Sequence, residues 1–240
     1  MSGMELPSQR RGAARTAVVW EALRPVLEAG TPLDVLDVGG GTGDFAVRVA
    51  ELGHRGRGVD PSPDALAALG RRARERGVDV GGLQGDLSSL LDVVGADSAD
   101  LLLCHGVLEL AGDPAAALDT LRAALRPGGT VSLLVAQRHA AVVARAMAGH
   151  FGQALALLDD PSPIGRSGRR FTAAELGALL DGAGFGAPLV HGVRVFADLV
   201  PGSLLDLEPG ATAALVELER AVSSRPEYLP LATQLHLLAT

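Results

Sequence analysis

The chain has 240 residues and a mass of 24.5 kDa, enough for one generous domain or two small ones. With 48% hydrophobic and 20% charged residues it lies in the globular range, which excludes wholesale disorder; no apolar run reaches the roughly 18–20 residues of a membrane helix, which excludes a spanning protein. There are 21 basic and 28 acidic residues, a net charge of −7, and every basic residue is arginine, so nucleic acid would be met only at a local cationic patch such as Arg10, Arg11 and Arg15 or Arg166, Arg169 and Arg170.

Residues 13–29 read as a helix, with Ala17, Trp20, Leu23 and Leu27 at helical spacing and Gly30 closing it. The stretch before it has no apolar core of the kind a secretion signal needs, so a cytoplasmic chain is expected. Leu33 to Val38 is a short strand that runs into Gly39-Gly40-Gly41, and Asp44 to Leu52 is helical. Strands follow at Arg57–Asp60, Val78–Gln84, Ala99–Cys104 and Thr130–Ala136, with helices at Ser62–Arg76 and Pro114–Leu125. Arg126-Pro127-Gly128-Gly129 reads as a turn before the Thr130 strand. Strand–helix alternation with fully apolar strands predicts a parallel sheet covered on both faces.

The second half is less regular. Ala140–Leu158 reads as mostly helical and Asp159–Arg170 as a loop. Thr172–Leu180 is a helix with a Thr172/Glu175 capping box. Pro188–Phe196 is a strand, Thr212–Ser223 a helix and Leu231–Ala239 a final strand. Residues 1–240 are read as a single domain, with an N-terminal helical arm over 1–30 and an insertion or lid over 138–171.

The chemistry concentrates at Asp37-Val38-Gly39-Gly40-Gly41-Thr42-Gly43-Asp44. Glycines between a strand and a helix let a ligand approach the backbone closely. A triphosphate loop is excluded, because it needs a lysine and the chain has none. The dinucleotide spacing Gly-x-Gly-x-x-Gly fails as well, since Asp44 or Ala46 falls where the third glycine belongs. Carboxylates on both sides of the loop suit a ligand with an ammonium or hydroxyls rather than a phosphate. Asp60, at the end of the second strand, suits the two hydroxyls of a ribose, and Gly85-Asp86 puts another carboxylate on the same sheet edge.

These residues, with the Arg126-Pro127-Gly128-Gly129 turn, resemble the class I S-adenosylmethionine-dependent methyltransferases. The resemblance implies a Rossmann-like seven-stranded sheet, mostly parallel with its last strand antiparallel, flanked by helices on both faces. It also implies S-adenosylmethionine as cofactor. Leu103–Glu109, His191–Asp198, Leu218-Glu219-Arg220 and Pro226-Glu227-Tyr228 are similar to the bacterial tRNA 5-carboxymethoxyuridine methyltransferases, which esterify the carboxylate of a modified wobble uridine. By that resemblance Arg15, Gly39, Gly40, Asp60, Gly85, Asp86 and His105 fall on cofactor-contacting positions, and the class I glycine-loop resemblance adds Asp37, Gly41 and Gly43 as cofactor-binding residues.

A carboxylate acceptor is already ionised near neutral pH and needs no general base, whereas an arginine fork would hold it. Arg194 is the first candidate for that role and Arg138 the second. His105 is the candidate base for a hydroxyl acceptor. The remaining histidines considered, His139, His150, His191 and His236, have no metal-ligand spacing, and no metal is expected. Cys104 reads as a small buried apolar residue. Where the tRNA family carries a lysine run this chain has Asp159-Asp160-Pro161, so a small-molecule O-methyltransferase acting on a carboxylate stays open as an alternative. A non-catalytic methyltransferase-like binding protein is the second alternative.

Overall fold

The computed structural model describes the backbone of residues 7–159, 168–207 and 209–240, and the side chains of 16–158, 168–205 and 209–240. Its elements in chain order are α1 (Pro7–Leu27), β1 (Asp34–Val38), α2 (Asp44–Glu51), β2 (Arg55–Asp60), α3 (Pro63–Arg76), β3 (Val80–Gln84), α4 (Leu90–Val94), β4 (Ala99–His105), α5 (Pro114–Ala124) and β5 (Leu125–Ala136). There follow α6 (Arg138–Met147), α7 (Phe151–Asp159), α8 (Ala173–Gly182), β6 (Leu189–Val193), α9 (Gly202–Leu207), α10 (Ala211–Val222) and β7 (Gln234–Ala239). The strands form one seven-stranded sheet in the order β3-β2-β1-β4-β5-β7-β6. It is mixed: β1 to β5 pair in parallel and the final strand is antiparallel. The Rossmann-like expectation is therefore met.

The chain divides into two compact units. One comprises residues 27–135, 174–189 and 237–240. Its central strands β1 and β4 are buried as a doubly covered sheet requires, with Leu101, Leu102, Leu103 and Cys104 wholly inaccessible. Local signals start and stop its helices. Ser62 caps α3 by accepting from the Ala65 amide at 3.3 Å, Pro63 opens the helix, and Gly77 closes it in the left-handed region. Asp113 caps α5 by accepting from Ala115 at 3.0 Å and Ala116 at 3.2 Å. At the start of β1, Asp34 accepts from Arg55 Nε at 2.6 Å and Arg126 Nη1 at 2.8 Å, and Arg126 Nη1 also reaches Asp100 at 2.9 Å.

The other unit comprises the described residues up to 26, with 136–173 and 190–236. Its least expected feature is Glu219 on α10, a carboxylate with no solvent exposure. Glu219 accepts from the backbone amides of Val195, Phe196 and Ala197, each at 2.8 Å, and so supplies the hydrogen bonds that the chain gives up on leaving β6.

Three expectations are corrected and one is refined. The Arg126–Gly129 segment lies inside β5, as a bulge: Ala99 pairs with Leu125 and Leu101 already pairs with Thr130, so the extra residues loop out. The mostly helical stretch over 140–158 is divided into α6 and α7, because Gly149 adopts φ +77 between them and ends the first. β6 stops at Val193 because Arg194 adopts φ +60, which no strand accommodates. The final strand starts at Gln234, since Leu229–Leu231 forms a 3-10 turn first. The short helices α4 and α9 had no counterpart in the sequence reading.

Candidate active site

β1 ends in the glycine loop, whose backbone takes three left-handed steps, at Gly39 (φ +68), Gly41 (φ +55) and Gly43 (φ +78). The Gly39 amide donates to the Val59 carbonyl at 2.7 Å and the Gly43 amide to the Gly40 carbonyl at 3.0 Å, closing a tight turn into α2. Space is as restrictive as conformation. A Cβ on Gly39 would collide with the Val107 side chain, and one on Gly40 with the Asp37 carboxylate, which is itself buried.

Asp60 is fastened to this loop. Its Oδ2 accepts from the Gly41 amide at 3.0 Å and its Oδ1 from the Ser62 amide at 2.8 Å. A carboxylate offers about four acceptor positions, so these two bonds fix the group and leave capacity for a ligand. Asp86 is held differently. Its Oδ1 accepts from the Ser88 amide (2.9 Å), the Ser88 hydroxyl (2.6 Å) and the Ser89 amide (3.1 Å). Those bonds, the Ser88 hydroxyl foremost, hold its carboxyl below the usual carboxylate range. The Gly85 amide donates to the Asp60 carbonyl at 3.2 Å, and a Cβ there would stand 3.0 Å from Val93 and 3.1 Å from Ser89.

At these strand ends lies a cavity of about 460 Å³ lined by Val38, Gly39, Asp60, Asp86, Gly106 and Val107 among others, a size proper to small-molecule sites. Gly39, Asp60 and Asp86 thus meet at one cavity. Gly40, Gly41, Gly43, Asp37 and Gly85 stand behind them and shape the loop. Val107, Leu110, Ala111 and Gly112 also line the cavity and stand outside the expected site residues, although Val107 lies in the Leu103–Glu109 stretch that carries the family resemblance; the turn at Gly106 (φ +76) leads into them.

His105 does not line the cavity. Its Nε2 lies 2.9 Å from Ser132 Oγ, and its ring meets Phe45 edge-on at 4.8 Å and 81°. Arg15 lies on α1, with its side chain outside the described residues, as is Arg166. Arg194 and Arg138 belong to the other unit: Arg138 is buried at the start of α6, and Arg194 Nη2 pairs with Asp198 Oδ1 at 2.5 Å. Cys104 is buried, and burial pushes its thiol up to about 12, which makes it inert. Among the described residues no group of three or more His, Cys, Asp or Glu is arranged to hold a metal, and no helix is long and apolar enough to cross a membrane.

The cavity fits a nucleoside better than a phosphate. Two carboxylates face it and no lysine exists to offset phosphate charge. Asp60 retains acceptor capacity for hydroxyls, and the bare Gly39 surface is a cradle that a side chain would fill.

The sequence and the fold are also similar to those of known proteins. Residues 36–131 match the Methyltransferase domain family. Over 237 residues, 95% of this chain and 88% of the relative, the sequence is 31% identical to the tRNA 5-carboxymethoxyuridine methyltransferase of Escherichia coli strain K12. Over 97 residues, 40% of this chain and 38% of the relative, it is 34% identical to a ubiquinone biosynthesis O-methyltransferase of Methylobacterium sp. strain 4-46. Among solved structures, magnesium protoporphyrin IX methyltransferase from Synechocystis PCC 6803 with bound SAH has a TM-score of 0.64. That likeness spans 100% of this chain and 89% of the other at 15% identity, and is one of fold.

Proposed function

We propose that this chain, which belongs to the S-adenosylmethionine-dependent methyltransferases, O-methylates a carboxylate on a modified wobble uridine of tRNA. The observation that carries this acceptor is the 31% identity to an enzyme of that name over 95% of the chain. An acceptor of that kind places the reaction in the cytoplasm. The non-catalytic alternative falls, because the family is one of enzymes.

In this reading Asp60 accepts the ribose hydroxyls of the cofactor and Asp86 its adenine amino group. Gly39, Gly40, Gly41 and Gly43 admit its methionine part to the backbone, with Asp37 and Gly85 shaping the turns. Arg15 pairs with the cofactor carboxylate, and His105, braced by Ser132, supports the same region. When bound, S-adenosylmethionine supplies an electrophilic methyl group. An ionised acceptor carboxylate needs no base to receive it, so the task of the protein is to hold the acceptor in place. Arg194 is assigned to that task. We read residues 1–240 as one methyltransferase domain, with 1–30 as its arm and 138–171 as a lid.

A small carboxylate metabolite is the alternative acceptor. It is favoured by the net charge of −7 and by the exposed apolar side chains Met147, Phe151 and Leu155 on α6 and α7, which suit an apolar ligand better than an RNA. Incubation of total tRNA with the enzyme and radiolabelled S-adenosylmethionine separates the two. Label that appears in tRNA and is released by hydroxide identifies tRNA as the acceptor and a carboxylate methyl ester as the product. Absence of label, with cofactor binding intact by calorimetry, assigns the small acceptor.

A further inference from the structure

Arg194 sits where an arginine is costly. Directly after β6 it takes φ +60, a left-handed conformation that residues with a Cβ avoid and that persists only where surrounding bonds over-determine it. Those bonds are present. Glu219 grips the amides of the next three residues. The Thr233 amide donates to the Arg194 carbonyl at 3.3 Å. Thr233 Oγ1 stands 2.7 Å from the same carbonyl and 2.6 Å from Asp198 Oδ2, with one proton to donate between them.

On this frame Arg194 Nη2 donates to Asp198 Oδ1 at 2.5 Å, and the two side chains are only 26% and 21% exposed. Arg194 Nε, by contrast, is buried and has no hydrogen-bond partner among the described residues. Nε and Nη2 are the two donors of the side-on edge of a guanidinium, the edge that matches a carboxylate bidentately. Asp198 thus occupies half of a carboxylate-shaped edge and leaves a buried donor unsatisfied. Stability does not account for such an arrangement, since an unmade buried hydrogen bond is a cost.

We propose that Asp198 is a resident carboxylate that holds Arg194 in the free protein and yields the guanidinium edge to the carboxylate of the acceptor. This rests on the reading that the acceptor bears a carboxylate. The incoming group takes both Nε and Nη2, and Asp198 keeps its bond to Thr233 Oγ1. After methylation the acceptor is a neutral ester, a weaker partner for a guanidinium than an anion, and Asp198 retakes Nη2. Asp198 is therefore a specificity-determining residue: it sets the threshold that an acceptor must exceed and disfavours retention of the product.

The test follows the Nε–H resonance of Arg194 in ¹⁵N-arginine-labelled protein, assigned by its loss in Arg194→Lys, during titration with 5-carboxymethoxyuridine nucleoside. Wild type should bind with a shift of that resonance. Asp198→Asn should bind about 3–10-fold tighter, the gain expected from removing a charged competitor, while Asp198→Glu should stay near wild type. The nucleoside methyl ester should leave the resonance in place. Asp198→Ser serves in the same way should the asparagine variant melt early. Unchanged or weaker binding by the neutral variants, or an Arg194 resonance that ignores the nucleoside, overturns the proposal. Methyl transfer to tRNA is scored separately. Base-labile tRNA label with no tightening in Asp198→Asn refutes the exchange and keeps the tRNA acceptor. Tightening without tRNA label keeps the exchange and moves the acceptor to a small carboxylate.

Discussion

The Gly41 amide donates to Asp60 Oδ2 at 3.0 Å, so the loop after β1 and the carboxylate after β2 form one unit rather than two neighbouring motifs. A carboxylate at a strand end would otherwise sample several rotamers and lose that freedom on binding. Here the bonds from Gly41 and Ser62 remove it beforehand, which lowers the cost of holding a ligand.

Asp60→Ala should therefore act on cofactor affinity in two ways, through the lost acceptors and through a loosened loop. A loss of roughly 1.5–3 kcal/mol in binding is expected, on the scale of hydrogen bonds to a charged group. Calorimetric titration with S-adenosylhomocysteine measures it. An affinity equal to wild type would exclude Asp60 from the ribose role.

Gly39→Ala combines a left-handed φ with a collision against Val107. The backbone conformation alone costs about 1 kcal/mol for a residue with a Cβ. Moving Val107 shifts a second lining residue of the cavity, so cofactor affinity should fall more steeply than thermal stability. Gly41→Ala is the control, because an added Cβ there meets open space and only the φ penalty remains. Equal affinity losses in the two variants would show that Val107 does not shape the cavity.

The glycine loop, Asp60 and Asp86 could be read from the sequence because each follows or ends a short strand, and parallel strand ends converge. The lining residues Val107, Leu110, Ala111 and Gly112 could not be assigned to the site, since apolar side chains and a glycine carry neither charge nor a distinctive period. The same holds for Arg194: arginine is not a turn-former, and its positive φ is imposed by Glu219 and Thr233, residues 25 and 39 positions away. Likewise His105 could be named as a site residue from its place after β4, but its partner Ser132 lies on the next strand, where one serine among apolar residues gave no signal. The break at Gly149 was hidden because the apolar period of 140–158 runs through it.

The Asp34 cluster predicts a pH dependence. The Arg55 hydrogen bond, with help from Arg126 and against a desolvation penalty, lowers the Asp34 carboxyl from 3.8 to about 2. A group depressed on folding stabilises the native state fully above its unfolded value and loses that contribution as pH falls through its folded one. The contribution is on the order of 1 kcal/mol once screening at these solvent-exposed arginines is allowed for. Urea denaturation of wild type and Asp34→Asn should differ by this amount at pH 5. The difference should close as pH is lowered from about 4 to 2. A gap that stays constant across that window would show that the ion pairs do not stabilise the fold.

Glu219 gives the largest expected effect on stability. Its two oxygens satisfy three backbone amides at 2.8 Å in a place without solvent, so Glu219→Ala strands all three donors and leaves a cavity. A loss on the order of 3–5 kcal/mol follows from the cost of buried unsatisfied groups. Glu219→Gln separates charge from shape. Its remaining oxygen can still accept from Phe196 and Ala197, but its NH₂ group faces the Val195 amide, donor against donor. About half the alanine effect is expected, with the turn at Arg194 loosened first because Val195 is its next residue. Amide hydrogen exchange of Val195, read beside the denaturation midpoint, checks both parts. Slow exchange at Val195 in the glutamine variant would mean that the turn holds its left-handed Arg194 without the carboxylate.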